Sequence, residues 1–175
     1  MGCARGRLRL SEYASPDPIF IDANIFLDYA IPNQRYCRLV ADFLERVEFL
    51  EINAVTTPVV LEEVSYILLM SIGRKVLGST DHQIIIDSIK TDDDVASRCY
   101  SAVDNFNKLL TNWKGLKILA INQEEYLQAS GLGKKFRLLS SYALHLSVLK
   151  NQRVENIATR DSDFIRVQGI KVWTP

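Results

Sequence analysis

Cysteine and histidine are scarce in this sequence, three of the former and two of the latter in 175 residues. Cys3, Cys37 and Cys99 form no CxxC pair, and an odd count argues against a disulfide framework, so reduced, mostly buried thiols are expected. No apolar run approaches the roughly 20 residues of a transmembrane helix. The start, Met1-Gly2-Cys3-Ala4-Arg5-Gly6, opens like a myristoylation motif but has Gly6 where Ser or Thr is wanted, and it lacks a signal-peptide core. The chain is therefore expected to be cytoplasmic, with no membrane partner. Net charge is absent as well: 21 basic residues balance 21 acidic ones. No global field advertises a polyanionic partner, which argues against a high-affinity, charge-driven nucleic-acid binder while leaving room for a local basic patch. Repeats and low-complexity tracts are missing too.

What is present is an ordinary globular composition, 47% apolar and 24% charged, in a length that suits one domain with a real core. Residues 1–17, with Arg5, Arg7 and Arg9 ahead of Ser15-Pro16-Asp17-Pro18, read as a polar arm on a turn-rich hinge, and residues 18–175 as the domain. Ile19-Phe20-Ile21 is a short apolar strand behind Pro18. A short helix over residues 24–30 follows, ended by Ile31-Pro32-Asn33, and Tyr36 to Val47 repeats apolar residues at helical spacing. Ala54 to Thr57 is the second strand. Thr57 and Pro58 suit an N-cap and first turn of a helix running to about Ile72, where Gly73 would stop it. Residues 82–113 read as helical, broken near Thr91-Asp92-Asp93-Asp94, where the acids fit a helix start. Leu116 to Ile121 is a third strand, and Asn122 with Glu125 forms a capping box for the next helix. Gly131-Leu132-Gly133-Lys134-Lys135 lacks the spacing of a phosphate loop. A helix from Ser140 or Ser141 to about Lys150, a strand at 156–159 and an edge strand at 170–173 complete the chain. Strands alternating with helices predict a parallel sheet covered on both faces.

Acids fall at strand ends in this arrangement. Asp22 closes the first strand, Glu62 or Glu63 projects from the helix after the second, and Asp161 and Asp163 follow the fourth. Open α/β sheets place ligands at this edge. Clustered carboxylates repel unless a cation neutralises them, and oxygen ligands with few histidines favour Mg²⁺ or Mn²⁺ over Zn²⁺. Such an ion can activate water and stabilise a phosphodiester transition state. The plainer readings are a helix cap for Asp22 and an Asx-turn for Asp161 and Asp163. His82 reads as surface, and His145 as packing or support for the site.

Four pieces resemble the PIN domain, close to the toxin ribonucleases of the VapC type. They are Ile21-Asp22-Ala23-Asn24-Ile25-Phe26, Thr57-Pro58-Val59-Val60-Leu61-Glu62-Glu63-Val64, Ser141-Tyr142-Ala143-Leu144-His145-Leu146 and Ala158-Thr159-Arg160-Asp161-Ser162-Asp163-Phe164. The resemblance implies a three-layer α/β/α sandwich with a central parallel sheet of four to five strands. It also implies Mg²⁺ or Mn²⁺, cleavage of single-stranded RNA, an antitoxin protein partner and a homodimer. By matching position, it makes Asp22, Glu63 and Asp161 catalytic and metal-binding, adds Asp163 as a further metal ligand, and gives Asn24 and Thr159 supporting roles. Ser141 could support a metal through a water. One position departs: Tyr142 stands where the family usually has Asp. A neutral phenol removes one negative charge from the site. Two readings stay open, a one-metal nuclease and a catalytically silent PIN domain that binds RNA or a protein. Lys134, Lys135, Arg137 and Arg160 are the basic residues available to a phosphate backbone.

Overall fold

A computed structural model describes residues 7–31 and 35–175. Cys3, Arg5 and the start of the expected arm lie outside the described residues, as do Pro32 and Asn33 at the expected end of the first helix. The strands are β1 (Leu8–Arg9), β2 (Ile19–Ile21), β3 (Ala54–Thr56), β4 (Leu116–Ile118), β5 (Asn156–Ala158) and β6 (Lys171–Thr174). All pair in parallel, in the order β1-β6-β5-β2-β3-β4. Every residue of β2, β3 and β5 is buried, as strands covered on both faces require, whereas β4 at one edge is partly open.

The helices are α1 (Ala23–Ala30), α2 (Cys37–Glu48), α3 (Pro58–Leu77), α4 (His82–Thr91), α5 (Asp93–Asn112), α6 (Gln123–Phe136) and α7 (Ser140–Asn151). From β2 the chain steps one way to β3 and β4. It then crosses back to β5 and β6. Right-handed crossovers therefore put α1 to α5 on one face and α6 and α7 on the other. The contacts agree: α3 packs on α1, α4 and α5, and α6 packs on α7. This is the expected three-layer α/β/α sandwich. Among the described residues, no helix is long and apolar enough to cross a membrane.

Several local expectations hold. Thr57 caps α3, Asp92 caps α5 through the N–H groups of Asp94 and Val95, and Asn122 and Glu125 form a reciprocal capping box on α6. Three need correction. Among the described residues the sheet has six strands, one more than the upper expectation, because the supposed arm is docked from Leu8 onward. Leu8 and Arg9 pair with Trp173 and Thr174, and Leu10 and Tyr13 are fully buried. For the same reason β6 is not an edge strand. Finally, Gly73 does not stop α3, which runs on to Leu77 and ends at Gly78 in the left-handed region (φ 61°). Gly73 serves a close approach instead: a Cβ there would meet Ile85 Cγ2 at 2.5 Å, so the missing side chain is what lets α4 lie against α3.

Candidate active site

Parallel register brings the first two candidate residues together. Ile21 pairs with Ala158, so Asp22 and Thr159 leave adjacent strands side by side, and the Asp22 N–H donates to the Ala158 carbonyl at 3.1 Å. The chain departs from β2 and β5 in opposite directions, making this the topological switch point of the sheet.

Asp22 is buried, 2% exposed, and its carboxylate is surrounded by donors. Oδ1 accepts from the Ala23 N–H at 2.9 Å, and Oδ2 accepts from Asn24 Nδ2 and from the Thr159 hydroxyl, both at 2.6 Å. Thr159 is the knot of the network: its oxygen also accepts from Asn24 Nδ2 at 2.9 Å and from the Asp161 N–H at 3.0 Å. Asn24 Oδ1 in turn accepts from the Arg160 N–H at 2.9 Å. Burial pushes the Asp22 carboxyl above the usual carboxylate range and the Asp161 charge adds to that, while the donors from Thr159, Ala23 and Asn24 pull it back.

Glu63 comes from the second turn of α3. Burial pushes its carboxyl above the usual carboxylate range, and the charges of Asp22 and Glu62 add to that. Of the two neighbouring glutamates, Glu62 is exposed and Glu63 half-buried beside Asp22. Tyr142, in the first turn of α7, joins the cluster. Burial first, then the neighbouring Asp161 carboxylate and the charges of Asp22 and Glu63, push its phenol well above its ordinary value. Its ring stands edge-on to the buried Phe164, with centroids 5.6 Å apart.

Asp163 is placed differently. Its N–H donates to Asp161 Oδ1 at 2.8 Å, which is the Asx-turn, and its own carboxylate pairs with Arg166. Ser141 lines a cavity of about 650 Å³ between α6 and α7 that also reaches Val59 and Lys134. Arg160 is engaged as well. Its Nε lies 2.8 Å from Asp28 Oδ2 and its guanidinium lies over the Tyr36 ring at 5.7 Å. Asp28, 3% exposed, is the buried acid that sequence reading missed. It sits one helical turn and a half beyond Asp22, and only the tertiary pairing with Arg160 marks it out. His145 is fully buried against Phe20 on α7, which settles it as a packing residue.

Asp22 Oδ2 has spent both lone pairs on Asn24 and Thr159, and Oδ1 keeps one beyond its bond to Ala23. Together with Glu63 and Asp161 this is a hard, anionic oxygen set, the kind that suits Mg²⁺ or Mn²⁺. Among the described residues, no three Asp, Glu, His or Cys side chains are gathered closely enough to form a ready ligand group; the Tyr142 hydroxyl stands among these acids.

A parallel α/β/α sandwich with acids meeting at its switch point defines a class of fold and site. A family profile for the PIN domain matches residues 19–170, and the chain belongs to that family. A curated relative, "Ribonuclease VapC6" from Methanocaldococcus jannaschii, is 26% identical over 158 residues, 90% of this chain and 97% of the relative. Two solved structures share the fold. A toxin-antitoxin complex from Klebsiella pneumoniae has a TM-score of 0.54 at 17% identity, covering 87% of this chain and 94% of its own. VapBC2 from Rickettsia felis, bound to a DNA fragment from its promoter, has a TM-score of 0.55 at 12% identity, covering 90% and 98%.

Proposed function

We propose that this protein is a divalent-metal-dependent endoribonuclease that hydrolyses phosphodiester bonds of single-stranded RNA, as the toxin of a toxin–antitoxin pair. Its partners on this reading are RNA, an antitoxin protein and a second copy of the chain. The observation that carries the reading is the meeting of Asp22 and Asp161 beside Glu63 at the switch point of the sheet. The ribonuclease name of the curated relative and the toxin–antitoxin assemblies of the structural neighbours support it.

Asp22 through its free Oδ1 lone pair, Glu63 and Asp161 would hold Mg²⁺ or Mn²⁺; Asp163 is committed to Arg166. The bound ion supplies an activated water and neutralises charge on the phosphate. The chain's own contribution is orientation. Thr159 and Asn24 orient the Asp22 carboxylate and favour its ionised form against burial, and the Asx-turn and Thr159 fix Asp161. Unneutralised, the same carboxylates would repel an RNA backbone.

A second reading, a catalytically silent PIN domain, is favoured by one observation: the Tyr142 hydroxyl occupies the acidic cluster. Stacking of a base on Tyr142 fits less well, because the ring is already seated on Phe164 and the surrounding charge is negative. Cleavage of a mixed pool of single-stranded RNA in Mn²⁺ separates the two. Activity in the unaltered chain that is lost in Asp22→Asn supports the nuclease. No activity in the unaltered chain, with activity in Tyr142→Asp, establishes the silent form.

A further inference from the structure

We propose that Arg160, backed by Tyr36 and Arg35, is a phosphate-binding site beside the acidic cluster. Its guanidinium holds a backbone phosphate of single-stranded RNA, a neighbour of the one that reaches the acids. The inference rests on the RNA reading above and deepens it, by choosing one of the four basic residues available to a strand.

A chain without net charge can draw a polyanion only through a local patch. Such a patch stands where the chain leaves β5. The Arg160 N–H donates to Asn24 Oδ1 at 2.9 Å, and Asn24 Nδ2 donates to Asp22 Oδ2, so the Arg160 backbone is tied to the acidic network itself. Its side chain reaches Asp28, which the rise of α1 carries about 9 Å from Asp22. That is too far to share the reacting phosphate and near enough to meet the next one. The guanidinium is held in place there: Nε lies 2.8 Å from Asp28 Oδ2, a buried anchor, and the group lies over the Tyr36 ring at 5.7 Å. Arg35 lies over the same ring at 5.1 Å and brings a second guanidinium to this side of the site. The Asp28 contact is a close ion pair without hydrogen-bond alignment, and the Arg160 side chain is 40% exposed, so its N–H fork keeps donors for a ligand. A planar fork of this kind matches the oxygens of a phosphate in pairs. Lys134, Lys135 and Arg137 stand at the end of α6, with Lys135 over the Phe136 ring, and among the described residues they have no such tie to the acids.

Fluorescence anisotropy of a labelled single-stranded RNA, with and without Mg²⁺ and with the strand's length checked afterwards, tests this on the unaltered chain, Arg160→Gln and Arg160→Gln/Asp28→Asn. Asp28→Asn removes the buried charge that Arg160→Gln leaves unpaired, so the double variant regains stability, which a urea melt checks. A binding defect that survives in it belongs to the ligand and not to the fold. The expected result is about tenfold weaker RNA binding in both variants, the worth of one hydrogen-bonded charge contact. The slope of log Kd against log salt should also be shallower by about 0.7, the share of one phosphate on a single strand. A merely structural arginine would recover binding along with stability in the double variant, and that result overturns the proposal. Equal loss of binding to a labelled polyglutamate peptide also overturns it, and makes the patch a dock for an acidic protein segment. Should neither glutamine variant fold, Arg160→Lys keeps a cation for Asp28 and loses the planar fork; it must bind RNA more weakly, and equal binding overturns the proposal. An unaltered chain that binds no RNA in either condition at about 100 μM, the weak end of non-specific binding, overturns the RNA reading and this proposal with it.

Discussion

Replacing Thr159 by valine removes one buried oxygen and keeps the shape of the side chain. That oxygen donates to Asp22 at 2.6 Å and accepts from Asn24 at 2.9 Å and from the Asp161 N–H at 3.0 Å. Loss of a hydrogen bond to a charged acceptor costs about 1.5–3 kcal/mol. The two donors left short add about 1 kcal/mol more, a modest figure because Asn24 and Asp161 are only half-buried and water can reach them. The total, roughly 2–4 kcal/mol, corresponds to a fall in Tm of about 5–15 °C for a chain of this size. Urea denaturation near neutral pH measures it, with Thr159→Ser as control, which keeps the oxygen and loses about 1 kcal/mol for a methyl group. The penalty also has a pH signature. The Thr159 donor favours ionised Asp22, whose folded pKa is already raised by burial. Removing that donor raises the folded pKa of Asp22 further, so the cost of Thr159→Val should be fully present above the variant's pKa and shrink as pH falls from there to the lower folded pKa of the unaltered chain. A valine variant within about 1 kcal/mol of the unaltered chain, or a serine variant as damaged as valine, would refute the assignment of Thr159 as the knot of the site.

Two further outcomes follow from buried charge. His145 is fully buried with neither ring nitrogen hydrogen-bonded, and burial lowers its pKa to about 4 from 6.5. The unfolded chain takes up a proton as pH drops through 6.5 and the folded chain does not until about 4, so stability should fall across that window, by up to about 3 kcal/mol. Urea midpoints measured along the window should show this slope, and His145→Phe should flatten it. Arg160→Gln leaves Asp28 buried without its cation; because Arg160 is 40% exposed, solvent screening limits the cost to about 1–2 kcal/mol. Asp28→Asn in the same chain should recover most of that loss in a double-mutant cycle. An Arg160 variant of unchanged stability that fails only in RNA binding would contradict the structural role.

The sequence carried its clearest signals where the physics is local. Thr57 before Pro58 marks the start of α3, and Asn122 with Glu125 marks α6, because a cap is a contact within one turn. Strand ends at Asp22 and Thr159 were legible from buried apolar runs meeting polar residues. Where a residue answers to something distant in the chain, the local pattern misleads. Gly73 looks like a helix stop and is in fact a gap for Ile85 of the next helix. Arg7-Leu8-Arg9-Leu10 looks like a basic arm; its alternation is a strand signal, visible in retrospect once Trp173 and Thr174 are there to pair with it. Asp28 resembles any polar position on α1, and only Arg160, far along the chain, explains its burial. The four candidate acids show the same division. Their positions could be read, but that Asp163 turns to Arg166 while Asp161 closes on the Asp163 N–H is a matter of side-chain direction after β5.

The direction of the donors around Asp22 bears on what the site is for. A buried carboxylate can be accommodated cheaply by letting it protonate, and burial does push Asp22 that way. The Thr159, Asn24 and Ala23 groups instead stabilise the charged form. An asparagine would fill the same space without a charge to support, so these donors oppose the protonation that burial favours. Departures from local stability of this kind are expected where a chain keeps a functional group. Tyr142 pulls in the other direction, placing a neutral phenol near these acids in place of a further negative charge. A carboxyl at Asp22 that burial pushes towards protonation, beside a neutral phenol where a further negative charge would help, predicts a site that attracts a cation weakly, which is why cation affinity, and not cleavage alone, is the quantity that tells the two readings of this PIN domain apart.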